Sequence, residues 1–184
     1  MKKIVILILL SGMVISTTAC KKHTRLVMKT SLGDIHMEMY DDKSPETVTN
    51  FLHYVDRKFY DGTIFHRVIE NFMVQGGGLT IDLMEKETDP PISNEANNGL
   101  RNQRGTLAMA RTQDINSATS QFFINVADNP SLNNGIQDFG YCVFGEVKKG
   151  MDVVDRISKV ATRTEGKFQN FPVEKIVIYY MRRE

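Results

Sequence analysis

The sequence predicts a mainly β fold, a closed antiparallel barrel capped by two α-helices. Short segments with alternating apolar and polar residues recur along the chain, and two further segments carry apolar residues at helical spacing. Many short strands together with two helices suggest such a barrel. The 184 residues, 41% hydrophobic and 24% charged, are enough for one globular domain. This composition excludes a disordered chain, a collagen-like fibre and a disulfide-stapled miniprotein.

The first strands form a predicted hairpin. Residues 26–30 and 35–40 alternate, and they flank a turn at residues 31–34. Met37 and Met39 share one face of the second strand, where core packing is favoured over a methionine metal site. Further strands are predicted at residues 63–68, 72–75, 106–110, 121–126, 141–147 and 175–181.

The two helices have recognisable starts. Ser44 is a natural N-cap, and Pro45 suits the first helical position. The second helix begins near Met151, after Gly150. Each helix has an apolar stripe at helical spacing. The stripes are Val48, Phe51, Leu52 and Val55 in the first helix, and Val153, Val154, Ile157 and Val160 in the second.

The first nineteen residues are typical of an export signal, with two lysines, an apolar run and small residues up to Ala19. Cys20 follows directly, which resembles a bacterial lipoprotein signal whose cysteine becomes acylated and holds the protein to a membrane. Thr17 stands where that pattern prefers Leu. Cleavage after Ala19 without acylation and an uncleaved membrane anchor therefore remain alternatives.

This interpretation divides the chain into a signal peptide (1–19), a short tether (20–25) and one domain (26–184). The expected location is the bacterial cell envelope, as a membrane-anchored lipoprotein. A soluble periplasmic or secreted protein is the alternative. The formal net charge of +1 provides no positive field for nucleic acid. The two cysteines cannot form a disulfide framework, and the apolar neighbours of Cys142 suggest a buried, inert thiol.

Three segments combine polar and apolar residues in a way that suggests a site. Arg67 lies in a predicted strand among aromatic residues, where an ion pair with Glu70 is the structural explanation. Gly76, Gly77 and Gly78 do not form a phosphate loop, since no GK[ST] follows. In the pair Phe122-Phe123, the side chains must face opposite sides of the sheet, and an exposed Phe indicates a binding surface.

The motifs FHRVIENFMVQGGG, GTLAMAR, SQFFINV and YCVFGEVKKGMDVVDRI occur in this order. With them the chain resembles the cyclophilins, which are peptidyl-prolyl cis-trans isomerases, over about residues 26–180. The segment NEANNGLRNQRGTLAMART is similar to their short bacterial branch. The resemblance implies an eight-stranded barrel with a groove on its outer face. It also implies proline-containing polypeptides, unfolded or exported, as partners. We expect no metal or cofactor, because the reaction breaks no bond. A monomer is the default expectation for the oligomeric state.

The resemblance also implies roles for individual residues. The catalytic Arg falls on Arg67, beside the polar groove residues Gln75 and Gln121. The remaining positions are Phe72, Met73, Phe123 and Leu132 for the proline pocket, Ala110, Arg111 and Thr112 for the peptide backbone, and Tyr141 where many eukaryotic members carry His.

Two positions depart from the family pattern. Ser131 stands where many members carry an aromatic residue, so one rim of the pocket is less apolar. Asn71 replaces a usual Gly, and Asn tolerates positive φ. Two other classes remain as alternatives: a non-catalytic proline-peptide binding module or chaperone on the same fold, and a hydrolase using His66 or His53 with a Ser.

Overall fold

The computed structural model describes residues 23–184, in which a closed eight-stranded antiparallel barrel confirms the predicted fold class. The strands are β1 (Arg25–Thr30), β2 (Gly33–Met39), β3 (Thr63–Ile69), β4 (Met73–Thr80), β5 (Thr106–Met109), β6 (Phe122–Asn125), β7 (Val143–Lys149), β8 (Thr162–Glu165), β9 (Phe168–Pro172) and β10 (Ile176–Arg183). The order around the barrel is β1-β10-β3-β4-β6-β5-β7-β2, and β2 pairs with β1 to close it. The predicted signal peptide and Cys20 lie outside the described residues.

Two helices complete the fold, α1 (Pro45–Asp56) and α2 (Met151–Ser158). Their apolar stripes pack into the same core as the inner faces of the strands. Within residues 23–184, neither helix has the length and hydropathy needed to cross a bilayer.

The cap of α1 differs from the prediction. Ser44 occupies the N-cap position, but its hydroxyl donates to the carbonyl oxygen of Val143 at 2.8 Å instead of accepting from the helix. The carboxylate of Glu95 accepts the free N–H groups of Glu46, at 3.2 Å, and Thr47, at 2.8 Å. A distant acid therefore does what a local hydroxyl was expected to do.

The interior of the barrel is apolar and tightly packed. The Phe51 ring centroid lies 5.5 Å from that of Phe122 and 4.8 Å from that of Phe144. Met37 and Met39 are fully buried, which confirms core packing. Cys142 is buried as predicted, and this burial raises the pKa of its thiol.

Two features lie outside the predicted elements. The hairpin of β8 and β9 was not predicted, although Gly166, at φ 55°, marks its turn. It packs on the outside of β3, where Phe171 contacts Ile64. The domain also begins before the expected boundary at residue 26, because Thr24 hydrogen-bonds Asp41 through its N–H and its hydroxyl, both at 2.8 Å.

A β-bulge at His66 changes the direction of the side chains along β3. Phe65 pairs with Gly76, and Arg67 pairs with the adjacent Gln75, so His66 is an extra residue without a partner. Phe65 points into the core, and strict alternation would send Arg67 to the same side. Because of the bulge, Arg67 lies on the outer face of the barrel.

His66 itself is buried at this bulge. Its ring lies edge-on to Phe168, with centroids 6.4 Å apart, and 6% of the residue is exposed. Nδ1 has no hydrogen-bond partner within residues 23–184. Burial, which disfavours the charged imidazolium, lowers the pKa of His66 from 6.5 to about 4. The imidazole is therefore neutral at neutral pH.

This burial predicts an acid-dependent loss of stability. Between pH 6.5 and about 4 the unfolded chain protonates His66 while the folded chain does not, so stability falls as the pH falls. We expect wild type to lose up to about 3 kcal/mol more free energy of unfolding over this range than His66→Gln. Urea unfolding of both proteins at several pH values measures the difference. Parallel losses in the two proteins would contradict the prediction.

Candidate functional site

One groove on the outer face of the barrel contains all the residues that the resemblance implied. It consists of an apolar cleft and an adjoining polar cavity, which share Gln75, Ala110 and Arg111. The apolar cleft is lined by Arg67, Phe72, Met73, Gln75, Ala110, Arg111, Phe123, Leu132 and Tyr141. Thr112 and Gln121 line the polar cavity.

The floor and walls of the apolar cleft come from β4, β6 and the segment before β7. Met73 and Phe123 form the floor and are 2% and 4% exposed. The expectation of an exposed Phe is therefore wrong: Phe122 enters the core, but Phe123 is covered by the other cleft residues. The Tyr141 ring meets that of Phe123 edge-on, with centroids 5.7 Å apart. A rigid apolar surface of this kind suits a small ring.

The turn from β3 to β4 brings Phe72 to the cleft. Asn71 has φ 59°, so the left-handed conformation expected at this position is confirmed. A short 3-10 helix, Pro130–Leu132, carries Leu132 to the opposite side. Ser131 is half-buried at this rim.

Arg67 lies at the edge of the cleft without a carboxylate partner. The alternative of an ion pair with Glu70 is wrong, because Glu70 is exposed and no acid pairs with Arg67 anywhere within residues 23–184. Among the described residues, the one side-chain hydrogen-bond partner of its guanidinium is Gln75, with 3.5 Å between Nη1 and Oε1. This distance is long for a hydrogen bond. Most donors of the guanidinium are therefore available to a ligand.

Two glutamines continue the contact of Arg67 into the polar cavity. Gln75 donates from Nε2 to Oε1 of Gln121 at 3.0 Å. The Gln121 side chain lies against Gly78, where an added Cβ would come within 2.7 Å of its Cγ. Gly78 therefore leaves the space that Gln121 occupies, which explains part of the glycine run.

The polar cavity presents free backbone groups. Within residues 23–184, no hydrogen bond uses the N–H or the C=O of Arg111, which follows β5. Such groups allow an extended peptide to pair with the chain in the manner of an added strand. Ser117 and Thr119 also line this cavity and were not predicted. The run of small residues at 117–120, three of them with hydroxyl groups, was the available signal.

The groove has the chemistry of a binding site for a peptide rather than for a metal. Within residues 23–184, no group of three or more His, Cys, Asp or Glu side chains lies close enough together to hold a metal ion. An apolar cleft, one free guanidinium, two amides and an open backbone segment are what the groove offers. They suit a neutral ring and a polar main chain.

Comparison with known proteins agrees with this geometry. The profile of the family described as cyclophilin type peptidyl-prolyl cis-trans isomerase matches residues 25–183. The chain is 56% identical over 160 residues to "Peptidyl-prolyl cis-trans isomerase A" of Dickeya dadantii, covering 87% of this chain and 84% of the relative. It is 58% identical over 152 residues to "Peptidyl-prolyl cis-trans isomerase B" of Escherichia coli, covering 81% and 93%.

A solved structure supports the same conclusion. A cyclophilin type peptidyl-prolyl cis-trans isomerase from Cryptosporidium parvum superposes with a TM-score of 0.74 at 25% identity, covering 88% of this chain and 98% of that one. The fold, the family profile and the bacterial relatives thus agree with the motifs in the sequence. The chain belongs to the cyclophilin-type peptidyl-prolyl cis-trans isomerases.

Proposed function

We propose that this isomerase holds the proline ring in the apolar cleft while Arg67 stabilises the twisted amide. The observation that carries this assignment is the position of Arg67, a guanidinium without an acid partner at the edge of an apolar cleft within residues 23–184. Rotation about the Xaa-Pro bond is the family's reaction, and the proposal assigns the individual residues their roles in it.

Catalysis of this rotation requires little beyond binding of the peptide and one hydrogen-bond donor. Resonance gives the peptide C–N bond partial double-bond character and a rotational barrier of about 18–20 kcal/mol. Twisting removes this resonance, so the nitrogen regains a lone pair that can accept a hydrogen bond. A donor aimed at that nitrogen gains energy in the twisted state and almost none in either planar state. This is preferential binding of the transition state.

Arg67 has the properties of such a donor. Its guanidinium is permanently charged and presents several N–H groups in a rigid plane. An acid partner would occupy those groups, and none is present among the described residues. The neighbouring apolar side chains lower the local dielectric constant, which strengthens the electrostatic contact.

Gln75 and Gln121 orient the guanidinium in this proposal. Because the contact of Arg67 with Gln75 is long, it guides the side chain while leaving its donors free. Gln121 holds Gln75 in turn, and the main chain at Arg111 binds the residues before the proline. Each group then has a separate role, which is to hold the ring, to align the peptide or to stabilise the twisted nitrogen.

We further propose that the polypeptides acted on are exported and that the enzyme is anchored through lipid on Cys20. The signal-like sequence of residues 1–19 supports this. β1 begins at Arg25, so the chain between Cys20 and the barrel spans about 14 Å at most. An anchored domain would lie close to the bilayer, where newly exported chains emerge.

The role of Arg67 is tested by substitution. We expect Arg67→Ala to lower kcat/KM for a Xaa-Pro peptide about 10- to 150-fold, because one charge-assisted hydrogen bond contributes about 1.5–3 kcal/mol. Arg163→Ala, which removes an exposed arginine from β8, is the matched control and should retain activity. Equal acceleration by wild type and Arg67→Ala would show that Arg67 is not the donor. No acceleration by wild type would show that the protein is a non-catalytic proline-peptide binding module.

The glutamine contacts are tested at Gly78. We expect Gly78→Ala to displace the Gln121 side chain and to lower kcat/KM about fivefold, the equivalent of one lost hydrogen bond. φ at Gly78 is not positive, so the substitution adds no backbone strain. In a Gln121→Ala background the same substitution should have no further effect. A similar loss in both backgrounds would show that Gly78 acts by another route.

Lipid attachment is tested on the full chain expressed in a bacterium. We expect metabolic labelling with a radioactive fatty acid to mark wild type and Cys142→Ser but not Cys20→Ser. Wild type should enter the detergent phase on partitioning. Absence of label from wild type, or label that persists in Cys20→Ser, would contradict the anchor.

A further inference from the structure

One wall of the apolar cleft belongs to an exposed loop. Residues 134–138 are exposed to solvent, whereas Tyr141, at the end of the same loop, lines the cleft and packs on Phe123. Exposed loops with few apolar contacts move more than the strands beside them. The backbone of Tyr141 is held by Leu132, at 3.0 Å, and by Asn102, at 3.3 Å, so the position of its ring is what a further contact must fix.

The side chain of Arg111 makes this contact. Only 3% of it is exposed, and its Nη2 donates to Oδ2 of Asp138 at 2.5 Å. Its Nε donates to the carbonyl oxygen of Gly140 at 3.2 Å, and its guanidinium carbon lies 4.6 Å from the centroid of the Tyr141 ring. One cation thus contacts the loop through an acid, a carbonyl group and an aromatic face.

Asp138 shapes the turn from the other side. Its Oδ1 accepts the N–H of Gly140 at 2.6 Å while Oδ2 accepts Arg111. Gly140 has φ 81°, and a Cβ at this position would lie 2.5 Å from the backbone nitrogen of Asn134, so the turn is tightly packed. The hydrogen bond from Arg111, and then that from Gly140, lower the pKa of the Asp138 carboxyl. The ion pair is consequently maintained at neutral pH.

We propose that Asp138 is a positioning residue of this isomerase, which holds the Arg111 guanidinium against Tyr141 and so fixes one wall of the apolar cleft. The inference rests on the proposed role of that cleft. An almost fully buried guanidinium that loses its acid partner must move or admit water, because an unpaired buried cation is costly. Removing Asp138 would therefore displace Arg111 and release Tyr141.

A displaced Tyr141 has a specific kinetic consequence. The wall contacts the proline ring, which does not rotate, and Arg67 contacts the bond that does. Loss of the wall weakens binding of both planar states and of the twisted state alike, which raises KM and leaves kcat nearly unchanged. A defect of stability alone would lower the amount of folded enzyme without raising KM.

The test compares Asp138→Ala and Asp138→Asn with wild type, using both the kinetics and the calorimetric Kd of a short Ala-Pro peptide. We expect Asp138→Ala to raise KM and Kd about tenfold with kcat within twofold. Asp138→Asn should raise them about threefold, because its amide oxygen can still accept Arg111 or Gly140. Asp155→Ala is the control: it removes a carboxylate on α2 that accepts two hydrogen bonds of 2.8 Å from Arg104, outside the residues that line the groove, and should change neither constant.

A double-mutant cycle with Tyr141→Ala tests the route. If Asp138 acts through Tyr141, Asp138→Ala should raise KM and Kd less than twofold in the Tyr141→Ala background. Unchanged constants in folded Asp138→Ala, or a tenfold rise in both backgrounds, would overturn the inference. If Asp138→Ala does not fold, Asp138→Asn carries the comparison. If wild type proves not to be an isomerase, peptide Kd still tests Asp138, so the two failures are distinguishable.

Discussion

The site depends on one irregularity in the barrel, the bulge at His66. A regular β3 would place Arg67 on the same face as Phe65, inside an apolar core where an unpaired charge is costly. The extra residue turns Arg67 outward, beside the cleft formed by the next strands. His66 is in turn buried beneath the β8–β9 hairpin and neutral there. A structural detail of one strand thus decides whether the groove contains a cation that is available to a substrate.

The neighbouring strand, β4, contains three consecutive glycines, which leave space for the side chains around them. Thr63 of β3 pairs with Thr80 of β4, and Phe65 pairs with Gly76. The segment of β4 between these pairs is therefore two residues longer than the matching segment of β3, and the three consecutive glycines lie at this place. Gly78 leaves space for Gln121, and Gly77, at φ 86°, lies against the rings of Tyr60 and Phe122. The glycines therefore serve close packing around the groove, which is consistent with rejecting a phosphate loop. Their backbone freedom matters only at Gly77.

Much of the fold could be predicted from local patterns, and much of the site only from ordered motifs. Alternation and helical spacing identified the hairpin, both helices and most strands. Each of these patterns depends only on which side chains are buried within a short stretch of sequence. The cap by Glu95 and the ion pair of Arg111 with Asp138 join residues distant in sequence, so no local spacing predicts them. The expectation of an exposed Phe in the pair Phe122-Phe123 was wrong for a similar reason. Alternation tells which face of the sheet a side chain takes but not which other residues cover it.

Two arginines in the same groove show how surroundings divide structural from chemical roles. Arg111 is buried, and an acid, carbonyl groups and an aromatic ring satisfy its guanidinium. The charge of Arg111 is thus used in contacts within the protein, so its role is structural. Arg67 is half-exposed, has one long contact to an amide and no acid partner in the described part of the chain. Its charge remains available to a substrate. The same side chain thus serves either purpose, and the nearest carboxylate determines which.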